Sequence, residues 1–279
     1  MNHIDAQKIA VQNMGFLAIP TIALAGVWIA LTAWIVAQLV NTPAIDPLLI
    51  LMIGVVTYGA YTPLHDATHN AVGGTAAKHR WINNTAGVLM GIIMGIPFFS
   101  HKKIHLKHHQ NTNHADKDPD MLYSIHSVTD WIRAVLLSTP SQYFEPFKRD
   151  LLSAQEKRIF WAEMTLIGTA RIALIALSSA PLAVFLTVLI GQLVGVAILI
   201  TLFAWLVHHP HTEQDRMQTT VVYNTKTLLD LPITWVWGYQ NYHAIHHLYP
   251  KIPFYRYRSV YQKIESFLRA SDVPHKTLV

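Results

Sequence analysis

Three short stretches could carry metal chemistry. His243, His246 and His247 in Asn-Tyr-His-Ala-Ile-His-His-Leu-Tyr-Pro are spaced i, i+3, i+4, so on a helix they share one face and can aim imidazole nitrogens at a single point. His105, His108 and His109 repeat that spacing, and His65 and His69 stand one helical turn apart. Eight of the 17 histidines thus fall into three copies of one geometry. One such cluster is what surface or packed histidines produce by chance, whereas three argue for ligands. Eight imidazoles exceed the four to six donors one ion takes, so two metals are expected. Nitrogen-only ligation suits iron, zinc or copper and disfavours magnesium and calcium, which prefer oxygen.

The elements that hold these clusters are set by a chain that is 52% hydrophobic and only 13% charged. Residues 14–40 and 182–207 carry no charged side chain and are long enough to cross a hydrocarbon core of about 30 Å. Residues 48–64, and 164–180 apart from Arg171, read as two further spans, while the apolar run 86–99 is too short and reads as a re-entrant or buried segment. No small-residue cleavage site follows the first apolar run, so that helix is expected to stay. The fold class expected is all-α integral membrane: four transmembrane helices in two hairpins, joined by residues 41–47 and 178–181, with a cytoplasmic helical cap (65–163 and 208–279) carrying a di-metal site.

Charge supports that topology. Of 21 Lys and Arg, one lies before the first span, eleven in the middle segment and eight in the C-terminal segment, with none in the hairpin connections. The positive-inside rule therefore places both termini and all three clusters in the cytoplasm. His65, His69 and His208 then lie where spans emerge on that side, and the site forms at the mouth of a four-helix bundle. No linker or low-complexity tract divides residues 1–279, which read as one domain. The net charge of +5 is ascribed to orientation and lipid headgroups rather than nucleic acid.

Residues 121–138 and 254–270 mix apolar and charged faces. In the second, Val260, Ile264, Phe267 and Leu268 oppose Arg258, Lys263 and Arg269, which suits a helix lying on the inner leaflet or one packed on the protein's own cap.

Several chemistries are excluded or weakened. With no cysteine, disulfides, thiolate-held clusters and zinc sites, and cysteine nucleophiles are ruled out. A membrane zinc metalloprotease would need the glutamate of His-Glu-x-x-His, where Asp66 stands instead. A metal transporter would need polar ligands within the spans, and 14–40 and 182–207 offer none.

The order HxxxH (His65–His69), HxxHH (His105–His109) and HxxHH (His243–His247), with two spans between the second and third, resembles the membrane fatty acid desaturase superfamily. Asp66 within the first box, Asp118-Pro-Asp120 after the second and Leu248-Tyr-Pro250-x-x-Pro253 after the third agree with it. The resemblance implies two non-haem iron ions, with O₂ as co-substrate, oxidising an unactivated C–H bond of a lipid hydrocarbon chain. It also implies one more histidine after the fourth span; in His208-His209-Pro210-His211 the expected ligand is His208, with His211 next. His79, His101, His114, His126 and His275 fall outside the boxes, His101 being the strongest exception. Carboxylates are expected to accept from the far ring nitrogens, with Asp66, Asp118 and Asp120 as candidates, although Asp-Pro-Asp also reads as a turn. Asn241 would hold a water near a metal or cap its helix.

Two readings share this pattern: a fatty acyl desaturase, and a carotenoid (β-carotene) ring hydroxylase or ketolase. The second is suggested because Asp118–Asp120, His208–His211 and Asn241-Tyr-His243 also look similar to bacterial carotene hydroxylases. Alkane hydroxylases, with extra glutamates in their boxes, fit less well. The membrane expected is a bacterial cytoplasmic (inner) membrane. Electrons would come from a ferredoxin, rubredoxin-like protein or cytochrome docking near Lys102, Lys103 and Lys107. Trp205, Trp235, Trp237 and Tyr242 are expected to line the substrate channel or to sit as interfacial aromatics.

Overall fold

The computed structural model describes residues 1–42, 44–74, 76–225 and 227–278, so Pro43 of the first hairpin connection and the basic residue Lys226 lie outside the described residues. A short helix, α1 (His3–Gln12), is started by the Asn2 side chain accepting from the Asp5 N–H. The first span is α2 (Ile19–Asn41). It begins five residues later than hydropathy suggested, because Gly15 adopts φ +88° and Pro20 fixes the first turn. The next is α3 (Pro47–Thr68), capped by Asp46 and carried on past residue 64 so that His65 is helical and His69 caps its end.

The expected re-entrant segment is a pair of helices, α4 (Arg80–Met94) and α5 (Phe98–Asn111), bent by 100° at a short break. Gly95 makes the turn with φ +77°. The cap helix expected over 121–138 is instead a single 3₁₀ turn at Pro119–Tyr123 followed by α6 (Val128–Lys148), which Ser127 starts by accepting from the Asp130 N–H. Its exposed stripe of Val128, Ile132, Leu136 and Phe144 suits a helix lying against lipid.

The third span, α7 (Ala154–Leu177), starts ten residues before the expected 164 with a Ser153/Glu156 capping box and ends at Leu177 rather than 180. Hydropathy marks lipid, not helix, and the charged first turns of α7 project beyond the apolar segment. The fourth, α8 (Pro181–His208), is α-helical to Leu199 and then π-helical over Ile200–Trp205. Beyond it come α9 (Asp230–Val236), α10 (His243–Leu248) and α11 (Tyr257–Ala270). Two short strands, Val222–Asn224 and His275–Thr277, pair in parallel.

Among the described residues, the four helices long and apolar enough to span are α2, α3, α7 and α8. The tips of the two hairpins meet, with the Ser179 N–H donating to Val40 O at 3.2 Å. The central contact pairs α3 with α8. A Cβ at Gly191 would stand 2.7 Å from Ile53 Cβ, and one at Gly195 2.5 Å from Gly54 O. Small residues thus let the two helices that deliver His65 and His208 approach closely. In α11 the face formed by Val260, Ile264, Phe267 and Leu268 is buried with Ala6 and Ala10 of α1, so this helix packs on the protein's own cap and not on a leaflet.

Two charged side chains of α7 hold the α4–α5 bend. The Glu163 carboxylate accepts from the Phe98 and Phe99 N–H groups at 3.1 and 3.2 Å, capping an α5 N-terminus that has no local side-chain cap. Arg171, two helical turns on, donates to Gln192 Oε1 at 3.0 Å, and Gln192 donates to Ile93 O at the end of α4. Acid thus meets the positive end of one helix, and a cation lies near the negative end of the other. Replacing Glu163 by alanine is expected to lower stability by about 1–2 kcal/mol, read as a lower melting temperature of the detergent-solubilised protein, with Glu163→Gln losing less.

Candidate metal centre

Helices α3, α5, α8 and α10 converge at the end of the bundle away from the hairpin tips, each contributing histidines. His65, His69, His105, His109 and His246 place one ligand nitrogen each within 4.8 Å of all the others, and His108, His208 and His247 form a second such group. All three boxes therefore meet, and each group mixes segments far apart in the chain. His208, first of the two candidates after the fourth span, belongs to the second group, while His211 lies outside both, its ring 5.8 Å from that of His208. His243 also lies outside both groups; its ring centroid is 4.7 Å from His247 and 5.0 Å from His208.

The hydrogen bonds fix the orientation of these rings. His108 Nδ1 donates to the Asp118 carboxylate at 2.9 Å, His243 Nδ1 to Gln240 Oε1 at 2.5 Å and His208 Nδ1 to Thr219 O at 3.2 Å. A neutral imidazole has one N–H, so each of these rings keeps a bare lone pair on Nε2. His246 Nδ1 meets the Tyr257 hydroxyl at 3.0 Å. Inside the cluster, His109 Nε2 lies 3.1 Å from His105 Nε2 and 2.8 Å from His246 Nε2. Both nitrogens of His65 and the Nε2 atoms of His69 and His247 are buried without a partner among the described residues. Buried nitrogens without partners are costly in a metal-free protein, and the donor set, all imidazole with the Nδ1 atoms of His108, His208, His243 and His246 anchored, fits two borderline transition-metal ions.

Burial, and secondarily the neighbouring histidines, pushes His243, His246 and His247 well below the ordinary value of 6.5. They stay neutral and competent as ligands under mildly acidic conditions. Because the unfolded chain binds protons more readily than the folded one here, stability must fall as pH drops. Metal-free protein is expected to melt at a constant temperature above about pH 7 and at progressively lower temperature below 6.5, checked by thermal unfolding across a pH series.

The carboxylates divide. Asp118 accepts from His108 and also from the Asn113 and Asp120 N–H groups. It therefore serves both the turn and the ring. Asp120 lies 3.6 Å from His108 Nδ1. Asp66, expected to accept from a ring, does not: it takes the Thr21 hydroxyl at 2.9 Å and the Phe254 N–H at 3.2 Å. Next to His65 on a helix, it is turned about 100° away from the metal-facing side, and it ties α3 to α2 and to the segment after the third box. Asn241 caps no helix; its amide donates to Tyr223 O and Thr234 Oγ1 at 3.1 and 3.0 Å.

A cavity opens beside the histidines, with Tyr61, Tyr123 and Phe203 as its aromatic lining. The four aromatics expected there line other places. Trp205 and Trp237 donate to Ile125 O and Leu202 O, Tyr242 bonds Asp230 in the cap core, and Trp235 is exposed. Sequence spacing gave no sign of Gln240, Tyr257 or the Thr219 carbonyl, which anchor three of the rings; proximity of Gln240 to the third box was the one available clue.

The sequence model of the fatty acid desaturase family matches residues 41–278. Among characterised proteins, the chain is 31% identical over 65 residues to an endoplasmic reticulum omega-6 fatty acid desaturase of Brassica juncea, covering 23% of this chain and 16% of that one. Against omega-6 fatty acid desaturase isozyme 1 of Glycine max it is 26% identical over 90 residues, 32% of this chain and 22% of the relative. A Delta(12) acyl-lipid conjugase of Momordica charantia matches at 26% over 91 residues, 33% and 22% of the two chains. The matched stretches thus span less than a quarter of the length of these relatives.

Proposed function

The chain belongs to the fatty acid desaturase family, and from that membership we propose that it is an O₂-dependent oxidase of lipid hydrocarbon chains, with fatty acyl desaturation as its reaction. The observation that carries this reading is the convergence of two groups of buried histidine nitrogens from all three boxes. In this reading His65, His69, His105, His109 and His246 hold one iron, His108, His208 and His247 the other, and His243 closes the site between them. Bound there, the iron pair supplies the oxidising power that removes hydrogen from an unactivated carbon. Asp118, Gln240, Tyr257 and the Thr219 carbonyl keep the rings aimed, and the apolar wall of the adjoining cavity excludes water and orients the chain. The whole chain acts as one domain, since its four ligand-bearing helices are useful only together.

The absence of basic residues from the hairpin connections supports a cytoplasmic site with both termini on that side. A separate reductant, such as a ferredoxin, rubredoxin-like protein or cytochrome, docks on the face of the second box. There Lys103 pairs with Glu156 at 2.8 Å while remaining 41% exposed, and Lys102 bonds Asn70. Turnover is expected to slow as salt rises, and a rate independent of ionic strength between low and physiological salt argues against a charged docking face.

The decisive experiment expresses the chain in cells that also make β-carotene and profiles both acyl chains and carotenoids. New unsaturated acyl chains support the proposal. Hydroxylated or ketolated carotenoid with unchanged acyl chains would replace it by the carotenoid reading, which the acyl desaturase relatives make the weaker one.

A further inference from the structure

The cavity beside the histidines has two unlike kinds of lining side chain. One is hydrocarbon: Met94, Ile96, Val196, Leu199, Ile200 and Phe203. The other is polar: His101, Asp120 and Gln142. His101 is buried and stacks on His105 at 5.7 Å, yet it belongs to neither metal-holding group. Its Nδ1 donates to Gln142 Oε1 at 3.0 Å, and Ser100 Oγ donates to the Gln142 carbonyl, so both residues are held in place. With Nδ1 carrying the proton, Nε2 presents a lone pair, and that atom is buried with no partner among the described residues. The Asp120 carboxylate, in the lining of the same cavity, accepts no hydrogen bond among the described residues, His108 Nδ1 standing 3.6 Å away.

Both polar groups are acceptors, but only His101 Nε2 is cut off from water, the Asp120 side chain being 23% exposed. A plain ester or thioester group brings only further acceptor oxygens and would leave His101 Nε2 unpaired, which binding sites discriminate against strongly. A largely hydrocarbon lining with a buried, unpaired acceptor in it suits a ligand with a long chain and a hydrogen-bond donor on it. Resting on the function proposed above, we infer that the preferred substrate is a hydroxylated lipid chain, whose hydroxyl donates to His101 Nε2 or Asp120 while the chain lies along the apolar lining. His101 is then a specificity-determining residue and not a metal ligand.

The test compares methyl octadecanoate with three isomers bearing one hydroxyl near the ester, at mid-chain or near the methyl end. Affinities for the purified, iron-loaded protein are read by displacement of a fluorescent acyl probe, with iron measured in the same samples and both kinds of ester fed to expressing cells. At least one hydroxy ester should bind about tenfold more tightly than the plain one. In His101→Phe that preference should shrink to about twofold or less with iron retained, and His101→Asn, which keeps an acceptor oxygen, should retain part of it. Gln142→Leu, which unlocks the ring without removing it, should also weaken the preference and serves if His101→Phe does not fold. Equal affinity in the unaltered protein overturns the inference, as does loss of iron from His101→Phe, which would make His101 a ligand. Iron-loaded protein that oxidises plain and hydroxy chains alike overturns the inference alone; protein that binds no iron and oxidises neither overturns the proposed function as well.

Discussion

Changing His246 to alanine is expected to bring oxidation of lipid chains to background and to remove at least one of two bound irons. This ring is fully buried, its Nε2 lies 2.8 Å from His109 Nε2, and it stands in the five-histidine group. Its other nitrogen, Nδ1, is held by the Tyr257 hydroxyl at 3.0 Å. Iron per chain, measured on purified protein alongside product formation in cells, checks the expectation. Full activity in a variant that still holds two irons would show that the ring only packs. The matching change in the second group, His108→Ala, should spare the first group's metal more than the second's, because the two groups share no residue.

Asp118→Asn is the second large effect, and it acts without touching a metal. The carboxylate holds the His108 N–H and two backbone N–H groups at once. An amide can still accept, but it is neutral and places an NH₂ where an oxygen was, so the ring loses its charged partner and the 112–120 turn loses an acceptor. Metal affinity and turnover should fall about 10–100-fold, with iron titration separating the two. Asp66→Asn should instead lower stability, because the Asp66 carboxylate joins α3 to Thr21 and Phe254 and accepts from no described histidine.

The helical period made the histidine clusters readable. At i, i+3, i+4 a cluster has one face, so the box histidines were marked by spacing and the end of α8 by hydropathy, whereas α3 runs four residues past its expected end. The same period explains the misjudged Asp66, whose neighbour His65 faces the histidine cluster while it faces another helix. Span ends were less legible, since α7 runs into water for several charged residues before its apolar stretch begins. The partners of the rings were illegible. Gln142, Thr219 and Tyr257 reach the site from segments whose own pattern reports only their local packing. The bend between α4 and α5 was foreseen as a short non-spanning run, but not the acid and base on α7 that brace it.

That brace bears on how the protein is made. Ribosomes deliver α5 with its second box before α7 exists, so the Phe98 and Phe99 N–H groups have no carboxylate until the later hairpin has entered the bilayer. Insertion of the last two spans therefore also seats the second box, and His208 and the third box follow only afterwards. A nascent chain stalled before that step holds two boxes at most, one of them unbraced, so the histidine cluster is not assembled on a half-built protein.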